Sequence, residues 1–129
     1  MKTSETGSQP FYPGRAPIDA YGNGGFRFAD MSHRGSLLLL PSGVYGWDPP
    51  TPAALTIDAF AAVLAERDGL AFLLLGTGGT HTPASRDLRQ AFEEAGLGLE
   101  VMTTGAAART YNVLLAEKRA VAAALIAVP

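Results

Sequence analysis

The chain has 129 residues, 47% hydrophobic and 17% charged, which is the composition of one folded domain and excludes a disordered chain. Ten bases against twelve acids give a net charge of −2, spread evenly: residues 1–64 carry four bases and five acids, residues 65–129 six and seven. Without a basic half or tail, nucleic acid is excluded as a partner, because neutralising phosphates takes clustered Lys and Arg.

There is no cysteine, so disulfides, thiol chemistry and thiolate zinc sites are excluded. The longest apolar runs, Leu37–Leu40, Leu70–Leu75 and Ala120–Val128, fall well short of the roughly 20 residues of a transmembrane helix. Met1 to Pro10 holds one lysine and no apolar core segment, so it reads neither as a secretory signal nor as a mitochondrial presequence. The expectation is a cytoplasmic protein without direct membrane insertion.

Residues 1–15 are polar, with Gly7, Pro10, Pro13 and Gly14, and read as a flexible N-terminal arm ahead of a single α/β domain over 16–129. Phe11 and Tyr12 are out of character for a solvated tail. Ile18–Tyr21 reads as a strand, Gly22-Asn23-Gly24-Gly25 as a turn, and Phe26-Arg27-Phe28 as a strand with period two. Met31–Arg34 continues after a bend at Ala29-Asp30. Together these predict an N-terminal β-hairpin or small second sheet.

Ser36–Leu40 lacks alternation, as a strand covered on both faces does. Pro41-Ser42-Gly43 turns the chain into a short extended piece, Val44–Trp47. Asp48–Pro52, with three prolines, reads as a linker. Thr56 reads as an N-cap with Asp58 in the first turn, and Ile57, Phe60, Ala61 and Leu64 as one buried helical stripe ending near Arg67-Asp68-Gly69. Leu70–Leu75 is a second wholly apolar strand. Pro83 suits the first turn of the next helix, whose stripe is Leu88, Ala91, Phe92 and Ala95, closed by Gly96. Leu99–Thr103 reads as a strand and Ala106–Glu117 as a helix burying Ala107, Tyr111, Leu114 and Leu115. Ala120–Val128 fits either a helix or a buried strand. Alternation of strands and helices from residue 36 onward predicts a mostly parallel sheet flanked by helices.

Two strand-to-helix junctions are the candidate site. Gly76-Thr77-Gly78-Gly79-Thr80 has glycines where backbone N–H groups approach an anion, at the carboxyl end of a strand. It is neither a dinucleotide fingerprint, since His81 stands where the third glycine belongs, nor a phosphate-binding P-loop, since no Gly-Lys-Ser/Thr follows. The second junction carries Thr104, Arg109 and Asn112, the last two sharing a helix face. If the strands are adjacent and parallel, the two junctions converge on one rim, and an arginine beside glycine-rich backbone reads carboxylates or phosphates. The alternative is a pair of tight turns whose polar side chains tie loops together. Trp47, with Phe11 and Tyr12, is a candidate partner contact; for Trp47 the competing role is core packing. His33 and His81, 48 residues apart, are weak evidence for a metal, and no Gly-x-Ser-x-Gly elbow is present. No catalytic residue, metal or cofactor is expected.

Three stretches carry a resemblance: Leu38–Trp47, Leu74–Gly78, and Thr104–Leu114 with Glu117 and Arg119, in which Arg109-Thr110-Tyr111-Asn112 is the most specific part. Over about residues 16–128 they resemble a widespread family of small uncharacterised α/β proteins, to which the human mitochondrial complex I assembly factor 3 belongs. The absent presequence fits a bacterial member. The resemblance implies a three-layer α/β fold around a central mixed sheet, with the final segment a strand antiparallel to the others. It implies no catalytic residue. Two functions are therefore carried forward. The first is a non-enzymatic protein-binding factor assisting assembly of a respiratory, complex I-like membrane complex, its partner a subunit or another assembly factor. The second is a small-molecule or anion binder, or an enzyme, using the glycine-rich rim.

Overall fold

The computed structural model describes residues 9–129. Six strands form the central sheet: β1 (Tyr12–Pro13), β5 (Ser36–Leu40), β6 (Gly43–Trp47), β7 (Phe72–Gly76), β8 (Gly98–Met102) and β9 (Val121–Leu125), in the order β1-β6-β5-β9-β7-β8. A separate three-stranded antiparallel sheet is built from β2 (Ala20–Gly22), β3 (Gly25–Phe28) and β4 (Met31–Arg34). The helices are α1 (Ala61–Ala65), α2 (Arg86–Glu94) and α3 (Thr104–Ala116), with short 3-10 turns at Pro52–Ala54, Ile57–Phe60 and Arg67–Gly69.

The missing alternation of Ser36–Leu40 has the cause expected of it. Leu37 and Leu39 join Leu74, Val121, Ala123 and Leu125 on one face of the sheet, beneath Ala107, Ala108 and Tyr111 of α3 and Phe26 and Phe28 of the small sheet. Leu38 and Leu40 join Leu73, Leu75, Ala122 and Ala124 on the other, beneath Phe60, Val63, Leu88 and Phe92. The sheet is thus the middle of three layers, and both faces of its central strands are dry. Each leucine buried there contributes about 1.5–3 kcal/mol relative to an exposed one. Phe60 stands between Trp47 and Phe92, with ring centroids 5.5 and 5.2 Å away.

The mixed α/β architecture is as expected, but the balance of strand directions is not. β7 pairs in parallel with β8 and β9, whereas β5–β6, β5–β9 and β1–β6 are antiparallel. Helical crossovers deliver β7, β8 and β9 in one direction; the tight turn at Pro41-Ser42 delivers β6 against β5. The last strand is accordingly antiparallel only to β5. The strand expected at Leu99–Thr103 is the sheet's edge and only half-buried, because β8 has β7 on one side and no paired strand among the described residues on the other.

Two local expectations also fail. Thr56 makes no side-chain cap, because the chain enters this element as a 3-10 turn. At three residues per turn the buried positions become Phe60 and Val63, leaving Ala61 exposed and Ile57 and Leu64 half-buried. Pro83 lies outside α2, which starts at Arg86 with Ser85 as its cap, the Leu88 N–H donating to Ser85 Oγ at 3.1 Å. Gly96 does close α2, at φ 73°.

The small sheet is fixed by its turns. Asn23 and Gly24, at φ 53° and 80°, form the two-residue turn that the twist of a hairpin favours. The next hairpin puts Ala29 and Asp30 in the same left-handed region, at φ 48° and 61°, which a Cβ-bearing residue adopts at a cost. The first strand begins at Ala20, two residues later than the apolar pattern indicates. Most of the expected N-terminal arm, residues 1–8, lies outside the described residues. Its end runs along β6: the Phe11 N–H donates to Val44 O at 2.7 Å, and Tyr12 pairs with Val44.

Candidate functional site

Because β7 and β8 are adjacent and parallel, the two junctions do converge. Gly76 ends β7 against the first turn of α3, so close that a Cβ there would stand 2.8 Å from Thr104 Cα. Gly78 and Thr104 then exchange hydrogen bonds. The Gly78 N–H donates to Thr104 Oγ1 at 2.8 Å, and the Thr104 N–H donates to Gly78 O at 2.9 Å. The Thr104 hydroxyl in turn donates to Ile126 O at 2.6 Å, and the Ile126 N–H donates to Gly76 O at 3.0 Å. Thr104 is completely buried, and its one hydroxyl joins β7, α3 and the end of β9.

Thr77 closes the other side of the loop. Its N–H donates to Met102 O at 2.9 Å, its hydroxyl donates to Thr80 O at 2.7 Å, and the hydroxyl oxygen accepts from the Thr82 N–H at 3.1 Å. Thr77 and Gly78 are buried, while Gly79 and Thr80 are exposed. The hydroxyls of Thr77 and Thr104 and the N–H groups of Thr77, Gly78 and Thr104 therefore all have partners inside the protein.

Arg109 and Asn112 are not drawn to this loop. Arg109 is exposed and follows Thr104 by five residues, about 140° around the helix. Asn112 holds the segment that enters the small sheet. Its Nδ2 donates to Ile18 O and its Oδ1 accepts from the Ile18 N–H, both at 2.8 Å. A residue 94 positions away in sequence is gripped as a paired strand would grip it. Nearby, the Tyr111 hydroxyl is buried with no hydrogen-bond partner among the described residues. Burial pushes that phenol up from 10.0, against a weaker opposing pull from the Arg15 guanidinium, which itself donates to Val121 O at 2.8 Å.

The three aromatic candidates separate. Trp47 is only 7% exposed, packs on Phe60 and donates its indole N–H to Ala59 O at 2.9 Å. Its side chain belongs to the core, the second of the two roles open to it in sequence, and not to a partner contact, since both the ring and the donor are already satisfied. Tyr12 is half-buried against the core. Phe11 is 50% exposed, with one side on His33 at a centroid distance of 4.8 Å. His81 is exposed, and among the described residues no group of three or more His, Asp or Glu is placed to hold a metal. No helix among the described residues is long and apolar enough to cross a membrane.

One polar cluster escaped the sequence. Ser42 donates both its N–H, at 3.1 Å, and its hydroxyl, at 2.5 Å, to the Glu66 carboxylate, and its oxygen lies 2.5 Å from the Tyr45 hydroxyl. It clamps the β5–β6 turn to the end of α1. A separation of 24 residues leaves no local signal for it.

The chain is similar to proteins of known sequence or structure along most of its length. An uncharacterized protein of Rhodobacter capsulatus is 38% identical over 121 residues, 94% of this chain and 92% of that protein. The human NADH dehydrogenase [ubiquinone] 1 alpha subcomplex assembly factor 3 is 30% identical over 112 residues; the match takes in 87% of this chain and 61% of the longer human protein. The crystal structure of an outer membrane protein from Bartonella henselae superposes with a TM-score of 0.86 at 55% identity, over 92% of this chain and 99% of that one. Residues 18–126, spanning all three motif stretches, match the family model described as "Protein of unknown function (DUF498/DUF598)". From the edge of the small sheet to the end of β9, this chain is a member of the DUF498/DUF598 family.

Proposed function

We propose that this chain is a protein-binding factor, without turnover of its own, that assists assembly of a respiratory, complex I-like membrane complex. The observation that carries the proposal is the 30% identity to the human assembly factor 3 over 87% of this chain. The chain spans 61% of that protein, so what the matched region shares is the α/β domain and not the whole relative.

The rim geometry supports the same reading. Of the polar groups on the rim, those of Thr77, Gly78 and Thr104 are hydrogen-bonded within the fold. The half-exposed Phe11 ring is the aromatic surface offered to a partner, a subunit or another assembly factor. In this reading the factor works in the cytoplasm, needs no metal or cofactor, and meets its target complex through protein contacts.

The test is deletion of the gene followed by native-gel measurement of complex I level and activity. The proposal expects a specific loss of assembled complex, restored by the wild-type chain and poorly by a folded Phe11→Ala variant. Normal assembly in the deletion strain would overturn it. Promotion of the rim as a ligand site would then require phosphate or carboxylates to move the amide resonances of residues 76–81.

A further inference from the structure

The small sheet has two unlike faces. Hairpin registry pairs Ala20 with Arg27, Gly22 with Gly25, Arg27 with Ser32 and Gly25 with Arg34. Residues opposite one another in a sheet share a face. One face therefore carries Phe26 and Phe28, which are buried against α3 and the central sheet. The other carries Ala20, Gly22, Gly25, Arg27, Ser32 and Arg34: two arginines, one hydroxyl and no acid, in a chain whose net charge is −2.

A trough of about 380 Å³, open to solvent, is lined in part by Gly22, Arg27, Ser32 and Arg34; a Cβ on Gly22 would meet nothing within 4 Å, whereas Gly25 is buried and a Cβ there would collide with His33 O. Arg27 is steadied by a hydrogen bond from Nη1 to Ser32 Oγ at 3.2 Å. Arg34 runs along the turn, its Nη1 3.8 Å from where a Cβ on Gly24 would be. Asp19 precedes β2 and Asp30 sits in the far turn. Among the described residues neither arginine forms an ion pair with them or with any other acid.

We propose that this face is a docking site for an extended acidic segment of a partner protein, with carboxylates at alternate positions. Arg27 and Arg34 are diagonal neighbours on adjacent strands, a relation that puts their Cα atoms about 7–8 Å apart. An extended chain repeats its same-side residues every 6.6–6.8 Å, about twice the strand rise. Two carboxylates at i and i+2 thus meet the two guanidinium forks together, and each fork accepts a carboxylate through paired N–H donors. Carboxylates on adjacent residues point to opposite sides and cannot both do so. Gly22, where a Cβ would meet nothing within 4 Å, leaves the segment's backbone room beside the arginines.

The test uses two synthetic peptides of equal composition and charge, Gly-Glu-Ser-Glu-Gly and Gly-Glu-Glu-Ser-Gly, titrated into the full chain while amide resonances are followed. The expected result is movement confined to residues 20–34, with the alternating peptide bound more tightly. The double variant Arg27→Gln with Arg34→Gln should weaken it about tenfold, the loss of two charge-assisted contacts, with an unchanged fold in the same spectra. Arg109→Gln should leave it unchanged. Equal binding of the two peptides, indifference to the double variant, or an equal response to inorganic phosphate would overturn the proposal; the last would mean a bare anion site. The peptide titration bears on this face alone and the deletion strain on the assembly role, so either can fail without the other.

Discussion

At the ends of β7 and β8, Thr77 and Thr104 turn their hydroxyls into the protein, and the N–H groups of Thr77, Gly78 and Thr104 are bonded there too. On the outward face of the small sheet, Arg27 and Arg34 turn away from the protein and meet no acid among the described residues. Both regions are glycine-rich and polar, and the sequence draws the eye to the first. The difference lies in where each donor points: the hydroxyl of Thr104 takes up the Gly78 N–H, while Gly79 and Thr80 at the tip of the loop are exposed. The arginine pair is unremarkable along the chain, at positions 27 and 34, and becomes a pair only once two hairpins set it on one face.

Substitutions sharpen that contrast, because inward groups hold the fold and outward groups do not. Thr104→Val keeps the shape and removes the hydroxyl, leaving the Gly78 N–H and Ile126 O without their partner. One buried and one partly buried orphan, at up to about 1–3 kcal/mol each, give an expected loss of about 2–6 kcal/mol, read from urea unfolding. Asn112→Ala frees Ile18 on both its N–H and its carbonyl in a partly buried setting, and should cost about 1–3 kcal/mol by the same measurement. Ala29→Gly should stabilise by about 0.5–1 kcal/mol, since relief of the left-handed strain exceeds the added freedom of the unfolded chain. Arg27→Gln with Arg34→Gln should change stability by less than about 0.5 kcal/mol, as solvent-exposed charges do. A large loss from the arginine pair, or none from Thr104→Val, would break the comparison.

The sequence made most of the fold legible. Unalternating runs announced β5 and β7, Asn23-Gly24 announced the first hairpin, and the Leu88–Phe92 stripe announced α2. What misled were features that depend on a neighbour. The 3-10 entry at Ile57 shifts the buried register by changing the residues per turn, and nothing in Thr56-Ile57-Asp58 distinguishes it from an α start. The direction of β9 depends on which strands flank it. Convergence of Gly76–Thr80 with Thr104 was legible, because consecutive parallel strands imply it. Loop-tying by Asn112 and core packing of Trp47 were each legible as one of two roles, but Ile18 and Ala59 as their partners were not, since those contacts are set by the packed fold.

The most direct test of the claim that the buried Gly78 and Thr104 serve the fold is hydrogen exchange at the Gly78 amide, in the wild type and in Thr104→Val. The account predicts slow exchange in the wild type, at the level of the buried strands, and rapid exchange in the variant while Leu73–Leu75 stay protected. Rapid exchange of Gly78 in the wild type would contradict it, and would return that N–H group to the surface as a donor free to meet a ligand.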